Sequence, residues 1–221
     1  MIYLKKFETQ AAYNAAESSL ILPNVSLTVD NNTVHYNPYD PYNGYEYIDL
    51  SLPSGTKWAK MNVGASSETD IGGYYQYGKG IAQFAQTSGD SSYEGEENPL
   101  AASADTASLI MGGGWHMPTS AQCQELIDNT TVTWENNFNN TVVNGVKYEA
   151  LNGNYIFIPA AGNCYPYYPI PTEPKTANIW TCTPNDKNTS YYLNMMHYED
   201  FVYRVTSANR QYGNSIRGVV G

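Results

Sequence analysis

The run Gly112-Gly113-Gly114-Trp115-His116-Met117-Pro118-Thr119, with the segment behind it, restricts this chain more than any other stretch. Three glycines permit backbone conformations and close approaches that a Cβ would block. Trp115 offers a large apolar surface, and Pro118 holds Met117 extended. Thr119 is a good N-cap, and Gln122 three residues on completes a capping box. The helix so started runs through Gln122-Cys123-Gln124-Glu125 to Asp128-Asn129, with Ala121, Leu126 and Ile127 near one face. A glycine turn, a buried tryptophan and a capped amphipathic helix in succession make a structural nucleus. His116 has no second titratable group at motif spacing, so it reads as a neighbour of the core with a satisfied ring, not as a base or ligand.

The 221 residues suffice for one large domain with a small appendage. A net charge of −10 argues against a phosphate-tracking nucleic-acid partner and against an anionic membrane surface. No apolar run approaches the length of a membrane span. The chain holds 21 tyrosines against five phenylalanines, a surplus closer to a binding surface than to a core, although Tyr also favours strands. Met1-Ile2-Tyr3-Leu4-Lys5-Lys6-Phe7 lacks the order of a secretory signal, which leaves a trimmed leader or another route out of the cell. Cys123, Cys164 and Cys182 have no metal-ligand spacing. Cys123, within the helix, reads as a small buried hydrophobe, and a Cys164–Cys182 bridge stays open.

Along the chain, residues 2–7 read as a strand and 10–17 as an alanine-rich helix capped by Thr9. Val25, Leu27 and Val29, a turn at Asp30-Asn31-Asn32, then Val34 and Tyr36 form a hairpin pattern. Residues 37–44, with Pro38, Pro41 and Gly44, read as a linker. The small unit of residues 1–44 is therefore a packed subdomain or a mount on a larger assembly. From residue 45 to 221 the pattern is that of a main domain. Tyr47–Leu52 and Lys57–Gly64 are expected strands joined at Pro53-Ser54-Gly55, and Gly72–Gly78 a third. Residues 86–106, around Glu94-Gly95-Glu96-Glu97, lack the alternate oxygen ligands of a calcium loop and read as a solvated acidic loop. Asn144-Gly145 and Asn152-Gly153 signal hairpin turns, and Ile156-Phe157-Ile158 a central strand. Up to residue 178 no regular structure is expected; Ile179–Thr183, Ser190–Met195 and Ser215–Val220 then follow as short strands. Many short strands with one good helix make an α+β domain with a mainly antiparallel sheet.

Several ordered stretches carry a resemblance: Asp49–Ala59 with Asn62-Val63-Gly64-Ala65, Gly73–Gly78, Gly114–Thr119 with Glu125-Leu126, Ile156–Gly162, Trp180–Thr183 and Tyr212–Arg217. Together they resemble the Fibrobacter succinogenes major paralogous domain, a C-type-lectin-like family. That resemblance implies a lectin-like domain over 45–221, in which Thr181 and Cys182 depart from the serines usual after the tryptophan. Lectin-like domains of this kind serve as variable proteins of diversity-generating retroelements, in phage tail adhesins and bacterial surface proteins. The resemblance thus implies a diversified region over about 163–218. Its ligand-binding positions would be Tyr165, Tyr167, Tyr168, Asn185, Asp186, Asn188, Tyr192, Asn194, His197, Tyr198, Tyr203, Arg204, Asn209, Gln211, Tyr212 and Asn214, with Lys187, Glu199 and Asp200 interspersed.

The expected function is a receptor-binding adhesin, a phage tail component of the virion, with a bacterial surface or pilus protein as the alternative. Its partner would be a cell-surface protein or glycan, with other tail subunits contacted through residues 1–44. No cofactor, catalytic residue or metal site is implied, and the oligomeric state stays open. The related fold of sulfatase-modifying oxidases would leave Cys164 and Cys182 as its only candidate groups, without an accompanying base or ligand set. His35, His116 and His197 form no Ser–His–Asp pattern.

Overall fold

The computed structural model describes residues 42–79, 97–164 and 175–221 in full, and 26–30 and 33–37 by their backbone. Strands β1 (Ser26–Asp30) and β2 (Thr33–Asn37) pair antiparallel with Asp30 opposite Thr33, the hairpin that the alternation predicts. The expected strand at 2–7 and helix at 10–17 lie outside the described residues. So do residues 80–96, which hold the first half of the expected acidic loop, and residues 165–174. In the described half Leu100, Ala104, Asp105 and Thr106 are buried, so that part is packed and not solvated.

The main unit continues with β3 (Tyr47–Ile48), β4 (Lys57–Ala59), helices α1 (Thr106–Met111) and α2 (Ser120–Asp128), and β5 (Thr130–Glu135). It ends with β6 (Gly145–Ala150), β7 (Tyr155–Pro159), β8 (Thr176–Pro184), β9 (Thr189–His197), β10 (Phe201–Asn209) and β11 (Val219–Val220). Three antiparallel sheets result, in the orders β11-β4-β3, β5-β6-β7 and β10-β9-β8. With two helices among the described residues, the architecture is α+β. The last strand closes on the first hairpin of the domain, Val219 opposite Trp58.

The nucleus forms as its chemistry dictates. Thr119 Oγ1 accepts from the Gln122 amide at 3.1 Å while Gln122 Oε1 accepts from the Thr119 amide at 2.8 Å, a complete capping box. Cys123 and Leu126 are the buried residues of α2, whereas Ala121 is exposed; the buried stripe lies one step round from the expected one. Trp115 is buried and its Nε1 donates to the Tyr42 carbonyl at 2.7 Å. Asn43 Nδ2 donates to Met111 O, so the end of the expected linker is pinned to the core. Gly218 allows this packing, since a Cβ there would come within 2.6 Å of Met111 Sδ and 3.1 Å of the Trp115 ring.

Two apolar clusters lie on opposite faces of the β8-β9-β10 sheet. Ile179, Leu193 and Met195 point to one, with Leu126 and Ile156; Trp180 points to the other, with Tyr77, Trp115 and Ile216. Period-2 alternation in β8 and β9 thus serves two cores.

Several expectations need correction. Asn144-Gly145 is no hairpin turn: Gly145 opens β6, facing Glu135 and Pro159, and a Cβ there would lie 2.3 Å from the Ile158 carbonyl. Close approach, not a turn, requires that glycine, whereas Gly153 (φ +83°) does sit in the β6–β7 turn. Residues 72–78 form no strand; Tyr74, Tyr75 and Tyr77 are all buried, and pairing is limited to a bridge from Tyr75 to Asn214. The first hairpin is shorter than expected, and Ser51 just beyond β3 is left-handed at φ +53°. β7 is buried but stands at the end of its sheet order, and the side chain of Arg217 reaches Phe157 O. Strands β5 and β10 and helix α1 were not expected, and β8 starts within the segment assigned no structure. All three cysteines are free and buried, so the Cys164–Cys182 bridge is not formed.

Candidate ligand-binding face

The expected binding residues that the structure describes sit on or around the β8-β9-β10 sheet, and they divide into three groups. One group forms a platform at the end where β8 turns into β9. Asp186 Oδ1 accepts from the Asn188 and Thr189 amides, both at 2.8 Å, and these bonds hold its carboxyl below the usual carboxylate range. Asn185 Nδ2 donates to Thr189 Oγ1 at 2.8 Å. The loop after β10 is joined to this turn by Arg210, which is fully buried. Its amide donates to Asn188 O at 3.0 Å, its Nη2 to Asp186 O at 2.5 Å and its Nε to Thr189 O at 3.3 Å. The guanidinium lies 4.8 Å from the centre of the Tyr77 ring, and the Arg210 carbonyl accepts from the Tyr77 amide at 3.2 Å. Around this buried cation Asn185, Asp186, Lys187, Asn188, Asn209 and Gln211 are all exposed.

A second group lies at the opposite end of the sheet, along β9 about 26 Å away at the usual rise per strand residue. His197 is half-buried and stacks on Trp134, centroids 4.8 Å apart and rings 10° from parallel. Tyr198 is 64 % exposed with Lys175 Nζ 5.8 Å above its ring. Glu199, Asp200 and Arg204 are exposed, and Tyr203, 37 % exposed, packs its ring 5.2 Å from that of Phe201.

The third group is not on the surface. Asn194 is 5 % exposed and donates to Asn178 Oδ1 at 2.8 Å, while Asn178 donates to Gly162 O. Asn214 is 1 % exposed and bridges to Tyr75. Both asparagines, expected among the exposed positions, are framework. Tyr192 and Tyr212 are half-buried, packed against the second core, with the Tyr192 ring 5.8 Å from Trp180. Tyr165, Tyr167 and Tyr168 lie outside the described residues.

Sequence reasoning missed Arg210, a lone cation inside a polar run with no periodicity to betray its burial. It also missed Trp134, although Val132 and Trp134 alternate with threonines in β5 as strand residues do.

Elsewhere, His116 Nδ1 is within 2.8 Å of the Met117 carbonyl. Burial pushes the Cys182 thiol up to about 12, helped by the Asp105 charge, and raises Cys123 further and Cys164 as well. None of the three is a thiolate at neutral pH. An apolar pocket of about 220 Å³ between Tyr45, Met61, Val63 and Ile110 shares no residue with the platform. Among the described residues no three His, Cys, Asp or Glu side chains are grouped to hold a metal ion, and no helix is long and apolar enough to cross a membrane. No protein-family model, no curated protein and no solved structure matches the chain.

Proposed function

We propose that this chain is a receptor-binding adhesin, a lectin-like scaffold of the kind found in phage tails and diversified by retroelements. Its ligand face is the platform formed by residues 185–188 and 209–211. The observation that carries this reading is the buried Arg210, which fastens two polar loops together beneath a set of exposed Asn, Asp, Lys and Gln side chains. Loops ordered before binding lose little entropy on contact, and Asn-rich adaptable side chains suit varied hydrogen-bonding partners. A glycan or a polar protein surface on a host cell fits such a face. The motif order from Asp49 to Arg217 supports the lectin-like assignment. The oxidase alternative is disfavoured by protonated, buried thiols.

The test is a triple variant, Lys187→Ala with Asn188→Ala and Gln211→Ala, assayed on whole bacterial cells and on a glycan array. Wild-type protein is expected to bind, and the variant to lose binding while unfolding within about 0.5 kcal/mol of wild type, as exposed substitutions do. Unchanged binding by the folded variant would remove the platform as the ligand face.

A further inference from the structure

β10 is nine residues long, Phe201–Asn209, and stands at the end of its sheet. Among the described residues nothing pairs with its outer edge. Its register with β9 is continuous from Phe201 to Asn209, and its sequence holds no proline, glycine or lysine. Natural edge strands are normally shortened, bulged or charged to prevent strand addition. Here the edge keeps a single charge, Arg204, beside exposed Val202 and Tyr203.

We propose that the outer edge of β10 joins two copies of this chain, strand to strand and antiparallel, with a two-fold axis at Val202. Such an axis perpendicular to the sheet pairs only residues on the same face, so few registers are open. Centring on Arg204 would oppose two like charges; centring on Tyr203 or Val205 would oppose Arg204 to Val202 or Thr206. Centring on Val202 brings Arg204 toward Asp200, the turn residue just before β10 in the second copy, twice by symmetry, and sets Tyr203 across from its Phe201. The register holds whether Val202 or its neighbours direct their amides outward, because antiparallel strands alternate the two kinds of pair. This self-complementarity of charge favours a second copy over an unrelated extended peptide. The pairing does not rest on the proposed function. It would leave the two Arg210 platforms at the far ends of a six-stranded sheet, about 45 Å apart by strand rise.

Sedimentation equilibrium of the full chain across the micromolar range tests this. Arg204 and Asp200 are exposed and have no hydrogen bond or ion pair among the described residues, so single variants should fold, as circular dichroism can verify. Wild type is expected to be a dimer. Arg204→Asp alone and Asp200→Arg alone should each weaken it roughly tenfold or more, since attraction becomes like-charge repulsion at two sites. The double variant carrying both should regain wild-type affinity. A monomeric wild type, single variants that dimerise as wild type does, or a double variant that stays weak would each overturn the proposal.

Discussion

Arg217 has no exposed surface, and each hydrogen bond of its guanidinium goes to a neutral acceptor: Asn62 Oδ1 at 2.9 Å, Ala59 O at 2.9 Å, Lys60 O at 2.5 Å and Phe157 O at 2.6 Å. Burial pulls its pKa down to about 9, which still leaves a cation at neutral pH. Its planar fork spans separate stretches of chain as no lysine could. Asp105 is a buried acid with local partners. It caps α1 through the Ser108 amide at 2.9 Å and receives the Met117 amide at 2.9 and 3.0 Å. Burial outweighs these bonds and the nearby His116, raising its carboxyl above the usual value of 3.8. The folded state therefore holds this proton more tightly than the unfolded chain does. The stability gained is full below about 3.8 and is lost as pH rises through the raised folded value. Stability measured by denaturant from pH 7 downward should accordingly shift in favour of wild type over Asp105→Asn as the pH falls. A difference independent of pH would show that Asp105 does not titrate there. Arg217 reads as framework in the sequence, but the burial of Asp105 was not legible, because it depends on contacts remote in sequence.

At the scale of elements, what could be read was what is decided locally. The α2 cap needs Thr119 and Gln122 alone, and the β6–β7 turn needs Asn152-Gly153 alone. Gly145 carries the same dipeptide signal as Gly153, yet its role is set by Phe157 and Ile158 on a neighbouring strand. α1 is six residues long, too short to show a period, and its cap Asp105 also serves Met117. Thr119→Ala removes the cap acceptor for Gln122 N and should destabilise the domain by about 1 kcal/mol in chemical denaturation. Thr119→Ser should stay close to wild type. An unchanged midpoint for the alanine variant would mean that α2 is held by packing alone.

Across the whole molecule, the sequence showed an α+β chain with mainly antiparallel strands, but not which polar residues face outward. Composition treats Tyr192, Tyr198, Tyr203 and Tyr212 alike; the fold does not. Tyr192 and Tyr212 pack on the second core, whereas Tyr198 is 64 % exposed. Replacing all four by serine would mix a stability effect with any effect on binding. The tyrosines should separate in thermal melts: Tyr192→Ser with Tyr212→Ser lowers Tm clearly, costing on the order of 1–3 kcal/mol, while Tyr198→Ser stays within about 0.5 kcal/mol. Equal melts for the two variants would contradict this division.

The tie through Arg210 has one more consequence. Three of the hydrogen bonds by which Arg210 grips the β8–β9 turn end on the carbonyls of Asp186, Asn188 and Thr189, atoms that every amino acid possesses. An anchor that recognises main chain is indifferent to which side chains the neighbouring positions carry. Side-chain exchange at residues 187, 188 and 211 would leave these carbonyl contacts in place, so one loop shape could carry different chemistry at its tips.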